Sequence, residues 1–250
     1  MAKIKAAFLA LTLLLSIGCC TSAKTAGLLV PHHLFVENYI EEFYALNGNK
    51  EVETIILLSP NHYNYGYSYL QTTTKLDGAV LDTDFIESLS GSSALKIDST
   101  NFELEHGITN HLGYISEFFP NAKVIPIRIK EGTPESALDS LINILPKDAL
   151  VIASIDFSHE QAEGKALESD VKIIKWLEDP DKFTLGTIRS LAETGEDCST
   201  NIDSPESLYV LLRLMPADYN FTLWKRTSSA SLSDNADATE NTSHIFGVLR

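Results

Sequence analysis

Thr54-Ile55-Ile56-Leu57-Leu58-Ser59-Pro60-Asn61-His62 is the stretch on which the fold turns. An unbroken apolar run of this length reads as a strand buried on both faces, the mark of a parallel sheet covered by helices. Pro60 then ends it, because proline has a fixed φ and no N–H for a ladder. His62 is thereby placed just past the carboxyl end of a central strand, where ligands bind in open α/β sheets.

The same design recurs on either side. Upstream, Gly27-Leu28-Leu29-Val30 runs into Pro31-His32-His33. Downstream, Ala149-Leu150-Val151-Ile152-Ala153-Ser154-Ile155 runs into Asp156-Phe157-Ser158-His159. Three such strands, each delivering an imidazole at one end, favour a metal or catalytic site over isolated structural histidines. Between the first two lies a helix over 34–46, with Tyr39 or Ile40, Phe43 and Leu46 on one face and Glu37, Glu41 and Glu42 opposite. Strand, helix, strand with a short return implies a right-handed parallel crossover, which sets His32 and His62 at one sheet edge.

Further along, Tyr67, Tyr69, Gln71 and Thr73 alternate as a strand, and 84–89 reads as a short helix. A helix over 108–119 ends at Pro120-Asn121, followed by a strand over 123–129 and helices over 134–145, 163–177, 181–192 and 205–215. Ser204 suits the N-cap of the last and Pro205 its first turn. Two strands, 221–226 and 244–249, close the chain around a polar loop over 228–242. The expected fold is a single α/β domain, 24–250, a sandwich whose central, mostly parallel mixed sheet is flanked by helices.

Composition fits one full-sized core: 250 residues, 44% of them hydrophobic. The 34 acidic residues outnumber 19 basic ones, a net charge of −15, which repels phosphate backbones. With no basic stripe interleaved with aromatics, nucleic-acid binding is set aside.

Residues 1–23 read as a targeting segment, with Lys3 and Lys5 before an apolar run from Ala6 to Ile17. Ser16-Ile17-Gly18-Cys19 is similar to a lipobox, in which Cys19 would carry the lipid and form the only tie to a membrane. Thr21-Ser22-Ala23 offers ordinary signal-peptide cleavage instead. The lipoprotein reading is preferred; both imply export, to a membrane-anchored, secreted or periplasmic location. Cys198 is the one cysteine beyond the leader, so no disulfide framework exists. Its neighbours Glu196, Asp197, Ser199 and Thr200 are polar, which favours a reactive or metal-binding thiol over a buried small hydrophobe.

Two constellations carry chemistry. Asp156 and His159, three apart at an expected strand-to-helix turn, suit a carboxylate orienting a general acid/base imidazole, or equally a helix cap beside a solvated histidine. His106 and His111 are five apart, off the spacing that stacks two ligands on one helix face, so at most one is expected to join the others.

Together these blocks resemble the Memo-like family, which includes the AmmeMemoRadiSam system protein B. Pro31-His32 matches its Pro-His after the first strand. Leu58-Ser59-Pro60-Asn61-His62 matches its Gly-Pro-Ser/Asn-His. Glu105-His106-Gly107-Ile108 looks like its Glu-His-Ser-Ile/Leu, and Ser154-Ile155-Asp156-Phe157-Ser158-His159 like its Ser-Ser-Asp-Phe/Met-Ser/Cys-His. Gly107 stands where that family has Ser, Thr109 where it has Glu, and Gly113 where it has Pro. Its Cys-Gly before a proline-initiated helix is here Cys198-Ser199, with Pro205 further on.

The resemblance implies a fold like that of class III non-haem iron extradiol dioxygenases. It implies iron or copper held by His32, His62 and Cys198, with Asp156 and His159 catalytic, and His106 and His111 near an unknown small-molecule substrate. The expected activity is that of a metal-dependent, dioxygenase-like oxidoreductase. The alternatives are a non-catalytic exported protein that binds copper or iron or serves as a redox partner, and a degenerate scaffold without metal.

Overall fold

The computed structural model describes residues 26–179, 183–195, 199–233, 235 and 241–250. The buried run decides the architecture as expected. Strand β2 (Thr54–Pro60) is buried from Ile55 to Pro60. It lies between β5 (Lys123–Ile129) and β6 (Leu150–Ser154), parallel to both, and β6 pairs in parallel with β1 (Gly27–Val30). These four strands are the parallel centre of an eight-stranded mixed sheet. Beyond β1 it continues antiparallel through β10 (Ser243–Leu249) to β9 (Phe221–Ser228). Beyond β5 it continues through antiparallel β3 (Leu70–Thr72) to the two-residue β4 (Lys96–Ile97).

Side chains alternate across the strands, so each face has its own core. Ile56 and Leu58 of β2 point with Leu29 of β1 toward four helices. These are α4 (Glu135–Ile144), α5 (Glu163–Glu178), α6 (Leu185–Ala192) and α7 (Pro205–Leu214). Ile55 and Leu57 point with Leu28 and Val30 toward α1 (Glu37–Asn47) and α3 (His106–Phe118). Each fully buried Ile or Leu contributes about 1.5–3 kcal/mol. Short α2 (Thr83–Ser88) and α8 (Ser229–Leu232) complete the helices.

Several details differ from the sequence-based expectation. The helix expected from 34 opens as a 3-10 turn, Leu34–Val36, before α1. The tyrosine-bearing strand shrinks to Leu70–Thr72, and Tyr67 and Tyr69 stay exposed. The polar loop after β9 begins with α8, closed by a Ser228 and Ser231 capping box.

The main correction is at 156–159. No helix begins there; Phe157–His159 form β7, which pairs antiparallel with β8 (Thr200–Ile202) in a separate two-stranded sheet. A three-residue strand whose partner lies some forty residues away leaves no periodicity to read. Among the described residues no helix is long and apolar enough to cross a membrane.

Candidate metal centre

The parallel register sets the site. Val30 of β1 pairs with Ser154 of β6, and Leu58 of β2 with Ala153. Two residues beyond the first pair, the chain reaches His32 and Asp156; just beyond β2 it reaches His62. All three therefore emerge at the carboxyl edge of neighbouring strands. The His32 and His62 rings lie 4.8 Å apart, centroid to centroid, and nearly perpendicular. His106, first residue of α3, stacks on His62 at 4.0 Å and stands 5.1 Å from His32.

Each of the two central rings is held from behind. Nδ1 of His62 lies 2.5 Å from Oε1 of Glu105, while the other Glu105 oxygen accepts the His62 backbone N–H at 3.0 Å. Glu105 is buried and also caps α3 by accepting from the Gly107 N–H. A carboxylate on one ring nitrogen keeps the proton there and leaves Nε2 as the free donor atom. Nδ1 of His32 is 3.0 Å from Oγ of Ser154. Ser154 in turn meets Nε2 of His111 at 3.1 Å, and Nδ1 of His111 meets the Tyr44 hydroxyl at 2.9 Å. Tyr44, His111 and Ser154 are all fully buried. Each hydroxyl can donate or accept, so the His111 ring bridges Tyr44 and Ser154 in either neutral tautomer.

In front of the rings stand two carboxylates. Nε2 of His32 is 3.3 Å from Oδ2 of Asp156 and 3.4 Å from Oδ2 of Asp203. Nε2 of His62 is 3.9 Å from that same Asp203 oxygen. Asp156 also accepts the His32 backbone N–H through Oδ1. Both Asp203 oxygens are buried without a hydrogen-bond partner among the described residues. A ring lone pair facing carboxylate oxygens is repulsive unless a proton or a cation lies between them. Electrostatics agree. Burial, and then the neighbouring histidines, hold His32 well below the usual imidazole range. Burial raises Asp156, and burial followed by repulsion from Asp156 raises Asp203. A cation at this point would reverse the cost of ionising both carboxylates.

The remaining candidates fall as follows. His111 does not face the site's open side; it is buried behind it, and burial lowers its pKa to about 3. Asp156 meets His32, and no contact to His159 is present. The reason is β7: residues three apart on extended chain point to opposite faces, whereas a turn would have brought them together. His159, with its pKa brought down to about 4 by burial, lines a cavity of about 850 Å³ together with His62, Asp203 and Arg189. Cys198 lies outside the described residues. A second grouping adjoins the first, with Nδ1 of His33 at 3.2 Å from Nε2 of His244, and Asp156 within ligand reach of both. His32, His62 and His106, and likewise His32, Asp156 and Asp203, form groups that could hold a metal ion.

Sequence reading missed Asp203, Glu105 and Ser154. Glu105 and Ser154 carry a legible signal, a polar residue set directly beside the histidine blocks. Asp203 carries none: β8 brings it in, where its backbone N–H donates to the Asp156 carbonyl at 3.2 Å. One departure also resolves. A Cβ at Gly107 would sit 2.2 Å from the Ser59 hydroxyl oxygen and 3.3 Å from that of Ser154. The resemblance sets Ser59 against a Gly and Gly107 against a Ser, and at 2.2 Å a side chain at both positions does not fit here, which makes the pair an exchange of volume across one contact.

Comparison with known proteins places the chain in a family. A curated MEMO1 family protein of Metallosphaera sedula is 26% identical over 182 residues, which cover 66% of this chain and 64% of that protein. Another, of Methanothermobacter thermautotrophicus, is 29% identical over 166 residues, 60% of each chain. The matched regions thus span less than two thirds of these relatives' length. A solved structure of an uncharacterized protein from Escherichia coli K12 aligns with a TM-score of 0.49 at 9% identity, over 90% of this chain and 99% of that one. The sequence profile of the family described as Memo-like protein matches residues 5–233, and the chain belongs to that family.

Proposed function

We propose that this chain is a metal-dependent oxidoreductase whose iron or copper is held by His32 and His62, in an extradiol-dioxygenase-like fold. One observation carries the reading: two ring nitrogens from the ends of separate strands converge on a carboxylate whose buried oxygens have no other partner among the described residues. A bound transition metal would supply redox chemistry and open coordination positions. The protein's own groups do the rest. Glu105 and Ser154 fix the two rings, as outer partners of metal-binding histidines do. The cavity is of a size for a small molecule. At neutral pH His159 meets that molecule as an uncharged imidazole, able to accept a proton or a hydrogen bond.

The test is oxygen consumption by anaerobically purified protein, loaded with ferrous iron or cuprous copper, against a panel of catechols. Consumption that disappears in His62→Ala is expected. A loaded protein that consumes no oxygen favours the second reading, a non-catalytic metal-binding or redox-partner protein.

The apolar leader pattern supports export with a lipid at Cys19. Labelling with a fatty-acid probe that is lost in Cys19→Ala is the expected outcome. No label on the intact protein would remove the anchor, and equal labelling of both forms would take it off Cys19.

A further inference from the structure

We infer that the third protein ligand of this centre is the carboxylate of Asp203, so that two imidazoles and one carboxylate hold the cation in place of the thiolate that the family pattern implies. The inference rests on the metal-site reading above and adds to it the donor that decides which metal fits.

Distances come first. Ligand atoms about 2.0–2.2 Å from one ion lie roughly 3–4 Å from one another. Oδ2 of Asp203 is 3.4 Å from Nε2 of His32 and 3.9 Å from Nε2 of His62. Need comes second. Among the described residues both Asp203 oxygens are buried without a hydrogen-bond partner, and a carboxylate taken out of water without a partner is disfavoured in its charged form. A cation at this point removes that cost. Delivery comes third. The β7–β8 ladder pairs Phe157 with Ile202, and the Asp203 N–H is tied to the Asp156 carbonyl. The side chain therefore leaves a pinned backbone, as a ligand must.

Asp156 spends Oδ1 on the His32 N–H, and its Oδ2, 3.3 Å from Nε2 of His32, belongs with His32 and Asp203 to one group of donor atoms within 4.8 Å of one another, so it stands beside Asp203 as a further donor. His106 is partly exposed and stacks face to face on His62, a placement that suits contact with a bound molecule.

Exchanging a soft thiolate for a carboxylate shifts the preference from cuprous copper toward ferrous iron. Two histidines and one carboxylate with open positions are the pattern of non-haem iron(II) oxygenases.

Anaerobic titration of the metal-free protein with Co²⁺, followed by visible and near-ultraviolet absorption, tests this. Wild type and Cys198→Ser should bind Co²⁺ equally, without a thiolate-to-cobalt charge-transfer band. Asp203→Ala should weaken binding by at least about 100-fold, more than an outer partner of a ligand is worth. Asp203→Cys should gain the band, a readout that also covers any loss of stability in the alanine variant. A wild-type band that vanishes in Cys198→Ser, with Asp203→Ala binding normally, overturns the inference and leaves the metal site standing. Co²⁺ binding unchanged by His62→Ala overturns the metal-site reading, and this inference with it.

Discussion

Gly107 and Ser59 show how closely the site is packed. A Cβ at 107 would meet the Ser59 hydroxyl at 2.2 Å and the Ser154 hydroxyl at 3.3 Å, so a side chain there must displace Ser59. Gly107→Ser alone should therefore destabilise the protein by about 1–3 kcal/mol, as overpacking does. Adding Ser59→Gly should restore most of that. Urea unfolding of the four proteins of the cycle should give a coupling above about 0.5 kcal/mol; strict additivity would contradict the exchange.

His111 makes the second prediction at this scale. Its folded pKa, about 3, is below the ordinary 6.5. The unfolded chain therefore takes up a proton first as pH falls. The stability His111 contributes is full above about pH 6.5 and is lost as pH drops toward 3. Asp156 and Asp203 are shifted up and act with the opposite sign over part of this range. The difference between wild type and His111→Gln isolates the effect. Below pH 6.5 the variant should lose about 1.4 kcal/mol less per pH unit than wild type. Parallel curves would contradict a neutral buried ring.

At the level of elements, the start of α3 matters most. Glu105 caps the helix and orients His62 with one carboxylate. Glu105→Gln should weaken Co²⁺ binding by about 10–100-fold through the misoriented ring, with the fold retained. Unchanged affinity, measured by titration, would remove the orienting role.

The elements also show what was legible in the sequence. The central strands were, because a strand buried on both faces must be apolar throughout; Ile55 to Leu58 and Leu150 to Ala153 have little other use. The strand ends were too, and with them His32, His62 and the neighbourhood of Asp156. β7 and β8 were not: Phe157–His159 and Thr200–Ile202 are three residues each and acquire strand character only by finding one another. Asp203 depends on that pairing and was invisible with it. The same pairing broke the expected contact between Asp156 and His159, by making extended chain where a turn was expected.

For the whole molecule, the candidate centre sits where three parallel strands end side by side, so the sheet sets the separation of His32, His62 and Asp156, and the β7–β8 ladder brings Asp203 up to them. A cation bound there is bound by the folded chain and not by the unfolded one. At about 100 times its Kd, ferrous iron should stabilise the fold by about 2.7 kcal/mol. For a chain of this length that raises Tm by roughly 5–10 °C. His32→Ala should show no such shift.

The most direct measurement is the iron content of protein loaded anaerobically with ferrous iron and then desalted, compared between wild type and a folded His62→Ala variant. The account predicts about one iron per chain in the first and none in the second. Equal iron in both, or none in wild type, would contradict it.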